Sequence, residues 1–349
     1  MTGDVFSDDT ADRDALIGAM ACERLVDMGP HWEEAHRSDN ERPRNRRPRE
    51  NLVQAAGPDA PRDQHYVPEF WLKKFAQRCE RELVVAAIDG TGVKARETVS
   101  TDRAATEPHF YTLTMDSGES TVALEGVLGL LEGDAAPAFK QMAKGRLPDS
   151  WLKRFEVSFL LAAQLIRTPA SLRPIQQAMS DVARRIIEMA QMAGELPPIP
   201  GGFEVEVDQQ SAMGALWSYE TLDECAFYFF CRRWSLVEAA EGSCGFVLPE
   251  RPVVMYSARS AWPYGPGGAL NAHEVWVPVS RRQLLVMHWV DSPGGKREAL
   301  SDDRVQAINR YLETVGGPMV FCHPSDARSV EQMVAEQANM SNPEEPERP

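Results

Sequence analysis

The sequence lacks the cysteine pairs and the long apolar runs that identify several classes of protein. Its six cysteines are scattered without a CxxC pair, which excludes a zinc ribbon or a thioredoxin-like site and predicts buried free thiols. The most apolar windows, residues 155–166 and 284–290, are too short or too interrupted to cross a bilayer, and the acidic start has no signal-peptide core. We therefore predict a cytoplasmic protein with no membrane partner.

The chain also lacks a basic excess. With 52 Asp and Glu against 37 Lys and Arg, its formal net charge at pH 7 is −15. Such a chain repels phosphate at long range, so we do not expect broad nucleic-acid binding. The run from Arg42 to Arg49 is a local exception. It either contacts nucleic acid or forms a solvated tether, and both interpretations stay open.

Short motifs of common active sites are missing as well. The sequence contains no GxSxG, Walker loop, HExxH or GxGxxG. Any chemistry must therefore come from polar residues that the fold brings together.

We predict three regions along the chain. Residues 1–62 form an N-terminal unit, in which residues 13–28 make an amphipathic helix and the polar, proline-broken stretch from His31 makes a charged flexible arm. Residues 63–325 form a single domain, and residues 326–349 form a frayed acidic tail. If the chain has a protein partner, we expect the N-terminal helix to recruit it.

The predicted domain is α+β. It begins with a hairpin of ELVVAAID and VKARETV, continues as a central helical bundle, and ends in an antiparallel sheet packed on the helices. Residues 151–167 are apolar nearly all round, which indicates a central buried helix. This helix should end at Thr168-Pro169, because proline disfavours helix in the residue before it.

His65 stands directly before a helix that begins near Pro68. The positive end of the helix dipole favours a neutral imidazole, which suits a metal ligand or a general base. The alternative is that the ring bonds the backbone and fixes how the chain enters the helix.

Glu125 and Glu132 are seven residues apart and share a helix face at the border of the core. Carboxylates there need a cation, either an arginine or a divalent metal. A metal would have His65 and Glu132 as ligands. Arg167 is the candidate arginine, since its fork can hold a carboxylate or anchor an anionic ligand.

Two further polar residues accompany Arg167. Gln164 is three residues earlier on the same helix face, and Thr168 offers a hydroxyl beside the guanidinium. The cluster is either a structural Arg–Glu network or a catalytic site made of His65, Glu125, Glu132 and Arg167.

The opening HYVPEFWLKKF resembles that of the bacterial domain-of-unknown-function family 4238, whose members begin His-x-Val-Pro-x-x-x-Leu-x-x-Phe. Further features follow in the family's order over roughly residues 63–323: Phe110-Tyr111, the glutamates of LEGVLGLLEG, QLIRTP, FVLPERPVV, EVWVPVSRRQLLV and Ile308-Asn309. The resemblance implies a fold and a bacterial origin, and no activity.

One departure from the family pattern bears on the site. Where members have Ser-Asp before the x-Pro-Val, this chain has Pro249-Glu250. A role for that serine is absent here, and a role for the aspartate requires Glu250 to replace it. With Gln164 and Thr168, the candidate binding residues are Tyr111, Glu250 and Asn309.

Two hypotheses follow. In the first, the cluster is the active site of a hydrolase that uses a divalent metal on an anionic, phosphoester-like substrate. In the second, the chain is a non-catalytic interaction module and its polar cluster is structural.

Overall fold

The computed structural model describes residues 10–41, 62–90, 97–114, 120–200, 202–216, 219–257, 267–290 and 299–341. Within these residues the chain has nine α-helices: α1 Thr10–Glu41, α2 Glu69–Leu72, α3 Ala123–Met142, α4 Trp151–Ile166, α5 Pro169–Met192, α6 Gln209–Leu216, α7 Tyr219–Cys231, α8 Asp302–Gly316 and α9 Ala327–Ser341. The same residues contain thirteen short strands: β1 Asp63–His65, β2 Gln77–Cys79, β3 Glu82–Asp89, β4 Glu97–Ser100, β5 Thr106–Pro108, β6 Leu113–Thr114, β7 Ser120–Thr121, β8 Arg233–Glu238, β9 Leu248–Pro249, β10 Val254–Tyr256, β11 Glu274–Ser280, β12 Gln283–His288 and β13 Met319–Cys322.

The α+β prediction is confirmed, since the named strands pair only in an antiparallel sense and helices α3 to α7 form one group without an intervening strand. One sheet has the order β10-β11-β12-β8, as expected for the last third of the chain. A second sheet has the order β2-β3-β13-β9, and β4 pairs with β3. The pairs β1–β5 and β6–β7 form two small ribbons.

The predicted hairpin is part of a larger sheet. β3 and β4 pair as expected, with Val85 opposite Val99. However, β13 from the end of the domain also pairs with β3, placing Val320 opposite Ile88. The two ends of the domain therefore meet in one sheet, a long-range pairing that no local pattern indicates.

Helix α4 is the centre of the helical group, as its all-round apolar character predicts. Every residue from Phe155 to Gln164 is buried. The Ser150 hydroxyl accepts from the Lys153 N–H at its start, and the helix ends at Ile166. Helix α5 begins at Pro169, with Thr168 as its N-cap. Among the described residues, no helix has both the length and the apolar character that a membrane span needs.

Helix α1 corrects the predicted arm. It continues through His31 to Glu41, so the first part of the expected arm is helical. Trp32 is buried against Phe155 of α4 and Phe230 of α7, and Arg24 donates to the Cys231 carbonyl at 2.9 Å. The side of α1 that carries Ala21, Met28, Trp32 and Ala35 is thus covered by the chain's own helices. The run from Arg42 to Arg49 lies outside the described residues.

Helix α9 corrects the predicted tail. The segment from Glu331 is not frayed but helical as far as Ser341. Its side chains Val330, Met333 and Val334 are buried in a second, smaller core together with Val320 of β13. This burial holds the segment, and it depends in part on Ala86 and Ile88 of β3, which lie far from α9 in sequence.

Candidate functional site

Arg167, directly after α4, is the centre of a buried polar network, with 1% of its surface exposed. Its Nη1 donates to Glu132 Oε1 at 2.8 Å, and its Nη2 donates to the His65 backbone carbonyl at 2.6 Å. Burial alone lowers the pKa of Arg167, but Tyr111 and Glu132 outweigh it, so the pKa is raised. The guanidinium is therefore charged and joins α3 to β1.

Tyr111 completes the contacts of this guanidinium. Its hydroxyl accepts from Arg167 Nε at 3.2 Å and donates to the Arg167 carbonyl at 2.8 Å, and its ring centre lies 5.5 Å from the guanidinium carbon. Burial raises the pKa of Tyr111, so the hydroxyl stays protonated and can donate. All three nitrogens of Arg167 thus have acceptors within the protein.

Two buried glutamines extend the network. Gln164 Nε2 donates to the Tyr66 carbonyl at 2.7 Å, and Gln64 Oε1 accepts from the Tyr111 N–H. The other polar atom of each side chain, Gln164 Oε1 and Gln64 Nε2, has no hydrogen-bond partner among the described residues. Unsatisfied groups of this kind are rare in protein interiors and mark places where water or a ligand fits.

The His65 ring turns away from the guanidinium. Its Nε2 lies 3.1 Å from the Thr101 carbonyl, which accepts, so Nε2 carries the hydrogen. Arg167 contacts the backbone of His65 and not its imidazole. This geometry matches the backbone-bonding alternative. No group of three or more His, Cys, Asp and Glu side chains in the described part of the chain is placed to hold a metal ion.

Glu125 lies beside the Arg167–Glu132 pair. Burial raises the pKa of its carboxyl group; Glu132 adds to this rise and Arg167 opposes it. Its Oε2 is buried and has no hydrogen-bond partner among the described residues. It is the one acid of the cluster without a hydrogen-bonded cation in that part of the chain.

The side chains of Thr168 and Glu250 both accept hydrogen bonds from backbone N–H groups at the start of α5. The Thr168 hydroxyl accepts from the Ser171 N–H at 3.3 Å, and Glu250 Oε1 accepts from the Ala170 N–H at 2.7 Å. Burial raises the pKa of Glu250, although the Ala170 hydrogen bond opposes the rise. Gly317 makes room for this contact: at its φ of 100°, an added Cβ would lie 2.7 Å from that of Ala170.

Asn309 belongs to a different place. Its side chain accepts from the Val247 N–H at 3.1 Å and donates to the Gly245 carbonyl at 2.9 Å. Both contacts hold the segment before β9 against α8. The fold therefore assigns Asn309 to that segment and not to the contacts of Arg167.

A family model described as protein of unknown function (DUF4238) matches residues 63–325. The chain belongs to the DUF4238 family. This confirms the resemblance that begins at HYVPEFWLKKF, and the matched range contains every residue of the network. No curated protein and no solved structure shows significant similarity to this chain.

This DUF4238 chain has a second buried arginine that the sequence analysis missed. Arg232 is fully buried, and its Nη2 donates to the carbonyls of Ala269 and Ala272 at 2.8 and 2.9 Å. Its guanidinium carbon lies 4.5 Å from the ring centre of Trp289. Burial lowers the pKa of Arg232 to about 9, which still leaves it charged at pH 7. In the sequence, Arg232 stands between the aromatic end of α7 and the start of β8, and this position could have identified it as a buried arginine.

The DUF4238 chain also has an exposed apolar surface. Eleven large hydrophobic side chains are exposed among the described residues, and six of them lie between residues 182 and 199. We call these six the α5 face: Val182, Ile186, Met189, Met192, Leu196 and Ile199. Exposed apolar side chains are ordinary when scattered, but clusters mark interaction surfaces.

Proposed function

We propose that this chain is a non-catalytic interaction module. In this proposal the network around Arg167 fixes the fold, and the α5 face binds another protein chain.

The observation that carries the proposal is the closed state of the Arg167 network. Glu132, Tyr111 and the His65 carbonyl occupy the three guanidinium nitrogens. An anchor for an anionic substrate needs donors that point into an accessible space, and this guanidinium is only 1% exposed. The His65 ring is likewise directed to the Thr101 carbonyl.

The second candidate function is the hydrolase with a divalent metal and an anionic, phosphoester-like substrate. One observation favours it: Glu125 has a raised pKa and a buried oxygen without a hydrogen-bond partner in the described chain. A carboxyl group with a raised pKa keeps its proton to higher pH than an ordinary glutamate, which suits a general acid. The unsatisfied atoms of Gln64 and Gln164 could receive polar groups of such a substrate.

A metal titration separates the two candidates. Wild type, Glu132→Gln and Glu132→Ala are compared by thermal melting with and without Mg²⁺, Mn²⁺ or Zn²⁺, and each is assayed on a phosphomonoester and a phosphodiester. We expect no metal response that depends on Glu132, and no hydrolysis. Glu132→Ala should lose about 3 kcal/mol of stability, because it leaves the buried Arg167 charge uncompensated.

Glu132→Gln is the matched control, because it keeps the shape of Glu132 and a hydrogen-bond acceptor for Arg167. A metal that raises the melting temperature of wild type but not of Glu132→Gln, together with hydrolysis that Glu125→Gln abolishes, would overturn the proposal in favour of the hydrolase.

A further inference from the structure

Three lysines gather where the ends of α2 and α3 meet. Lys74 follows α2, Lys140 lies in the last turn of α3, and Lys144 comes shortly after that helix ends. The rings of Trp71 and Phe139, whose centres are 4.6 Å apart, pack the two helix ends against each other. We call Lys74, Lys140 and Lys144 the lysine cluster.

The turn between β11 and β12 contacts both helix ends at this point. The Arg281 N–H donates to the Lys74 carbonyl at 3.3 Å. Two residues later, Gln283 Nε2 lies 3.6 Å from the position that a Cβ would take on Gly145, the residue after Lys144. The Gln283 amide and the lysine cluster therefore lie at one junction of the fold.

Within the described part of the chain, no acid neutralises the lysine cluster. None of its three side chains forms an ion pair or a hydrogen bond there. Glu69 and Asp149, which are close to the cluster in sequence, pair instead with Lys73 and Lys153, at 2.8 Å in both cases. The cluster is thus a local excess of positive charge in a chain whose formal net charge is −15.

The charges of the cluster act on one another. Burial lowers the pKa of Lys74, and the charges of Lys140 and Lys144 lower it further. Like charges that repel one another in this way are stabilised by an anion placed between them.

The Gln283 side chain is a second polar group without a partner at this junction. The residue is only 5% exposed, and its amide forms no hydrogen bond with the described residues. Buried amides normally have partners, so an unsatisfied one marks a place where a ligand or water fits. Its N–H groups are donors, as are the ammonium groups of the cluster.

We infer that the lysine cluster and Gln283 bind an oxyanion with two or more negative charges, such as the phosphate or diphosphate group of a small molecule. This site lies apart from the α5 face and goes beyond the proposed function. The cluster supplies three positive charges, from which the C-terminal end of α3 takes about half a charge. A phosphate group with about two negative charges matches the remainder.

The size of the cluster decides between classes of anion. Three lysines contact one or two phosphate groups, which is too few to hold a nucleic-acid strand against the net charge of −15. A small anion is less affected by that net charge, because salt screens charges that lie beyond about 8 Å.

Isothermal titration calorimetry of the full chain tests the site, with inorganic pyrophosphate as the probe at about 50 mM NaCl. We expect binding that Lys140→Gln/Lys144→Gln weakens at least about tenfold, because two of the three charges are lost. Gln283→Leu should weaken it about fivefold, since it removes the donor and keeps the shape of the side chain. Lys140 and Lys144 are exposed, so the double variant should keep the wild-type fold, which circular dichroism checks.

Arg184→Gln/Arg185→Gln is the matched control, because it changes the net charge by the same amount. Both arginines belong to α5, which begins at the opposite end of α4 from the lysine cluster. The control should bind pyrophosphate like wild type. Three results overturn the inference: no binding to wild type, binding that Lys140→Gln/Lys144→Gln leaves intact, or equal weakening by this variant and the control.

Adenosine diphosphate is the second probe and distinguishes the source of the anion. Tighter binding than that of pyrophosphate indicates a phosphate carried on an organic group, and weaker binding indicates the free anion. Either result supports the site if Lys140→Gln/Lys144→Gln weakens it, and binding of adenosine diphosphate that ignores this variant counts against it.

Discussion

The two buried arginines, Arg167 and Arg232, both hold a positive charge in the protein interior, but with different partners. Arg167 has a carboxylate partner in Glu132, and its pKa is raised. Arg232 binds backbone carbonyls and the face of Trp289, and burial lowers its pKa to about 9. Both are charged and nearly inaccessible.

Both arginines connect segments that are separate in the sequence. Arg232 ties the segment around residues 269–272 to the end of α7 through carbonyls, a structural task. Arg167 likewise connects β1 to α3, and one of its acceptors is the carboxylate of Glu132. A buried arginine in this fold is therefore no sign of catalysis by itself, which is consistent with the proposed non-catalytic function.

The largest expected effect is at Arg167. Arg167→Met should cost about 3–5 kcal/mol, because it leaves the Glu132 carboxylate without its buried ion-pair partner and removes the guanidinium donor to the His65 carbonyl. Urea unfolding followed by circular dichroism measures this loss. A loss below about 1 kcal/mol would mean that the network does not hold the fold, and would break the comparison with Arg232.

A smaller loss is expected at Arg232. Arg232→Met leaves neutral carbonyls and no acid without a partner, so we expect a cost of about 2 kcal/mol. The same urea unfolding experiment measures it. If Arg232→Met proves more costly than Arg167→Met, the carboxylate at Arg167 adds little, and the difference drawn between the two sites is wrong.

The smallest effect is expected at Glu125 and depends on pH. Because the pKa of Glu125 is higher in the folded protein, the unfolded chain loses this proton at a lower pH than the folded chain does. The stability of wild type therefore falls as pH rises from about 4.3, the ordinary pKa of glutamate, through the folded-state pKa. Glu125→Gln should therefore be more stable than wild type at pH 8 and equal to it near pH 4. Unfolding at several pH values measures the difference, and a gain independent of pH would contradict this account.

The sequence predicted correctly those structural features that neighbouring residues determine. The all-round apolar pattern of α4 and its end before Thr168-Pro169 both depend on neighbouring residues. The Arg–Glu alternative for the cluster also came from the sequence, because a carboxylate at the core border needs a cation.

Sequence reasoning failed where burial comes from distant segments. Residues 31–41 looked like an arm because they are polar, but Trp32 packs against α4 and α7, and His31 and His36 also contact aromatic rings of α4. Helix α9 was missed for the same reason, since Ala86 and Ile88 of β3, far earlier in the chain, belong to the core that buries its apolar side. The exposure of the α5 face was equally hidden, because an apolar stripe does not reveal whether the fold covers it.

Taken alone, the amino-acid order determined the periodicity of the helices, their caps, the family and the short set of polar residues worth examining. Only tertiary structure decided that Arg167 meets Glu132 and the His65 carbonyl, the latter 102 residues away, while the imidazole turns to Thr101. Periodicity and capping act over one or two helical turns. The direction of a side chain at a site built from distant segments depends on packing between them, and no local pattern encodes that.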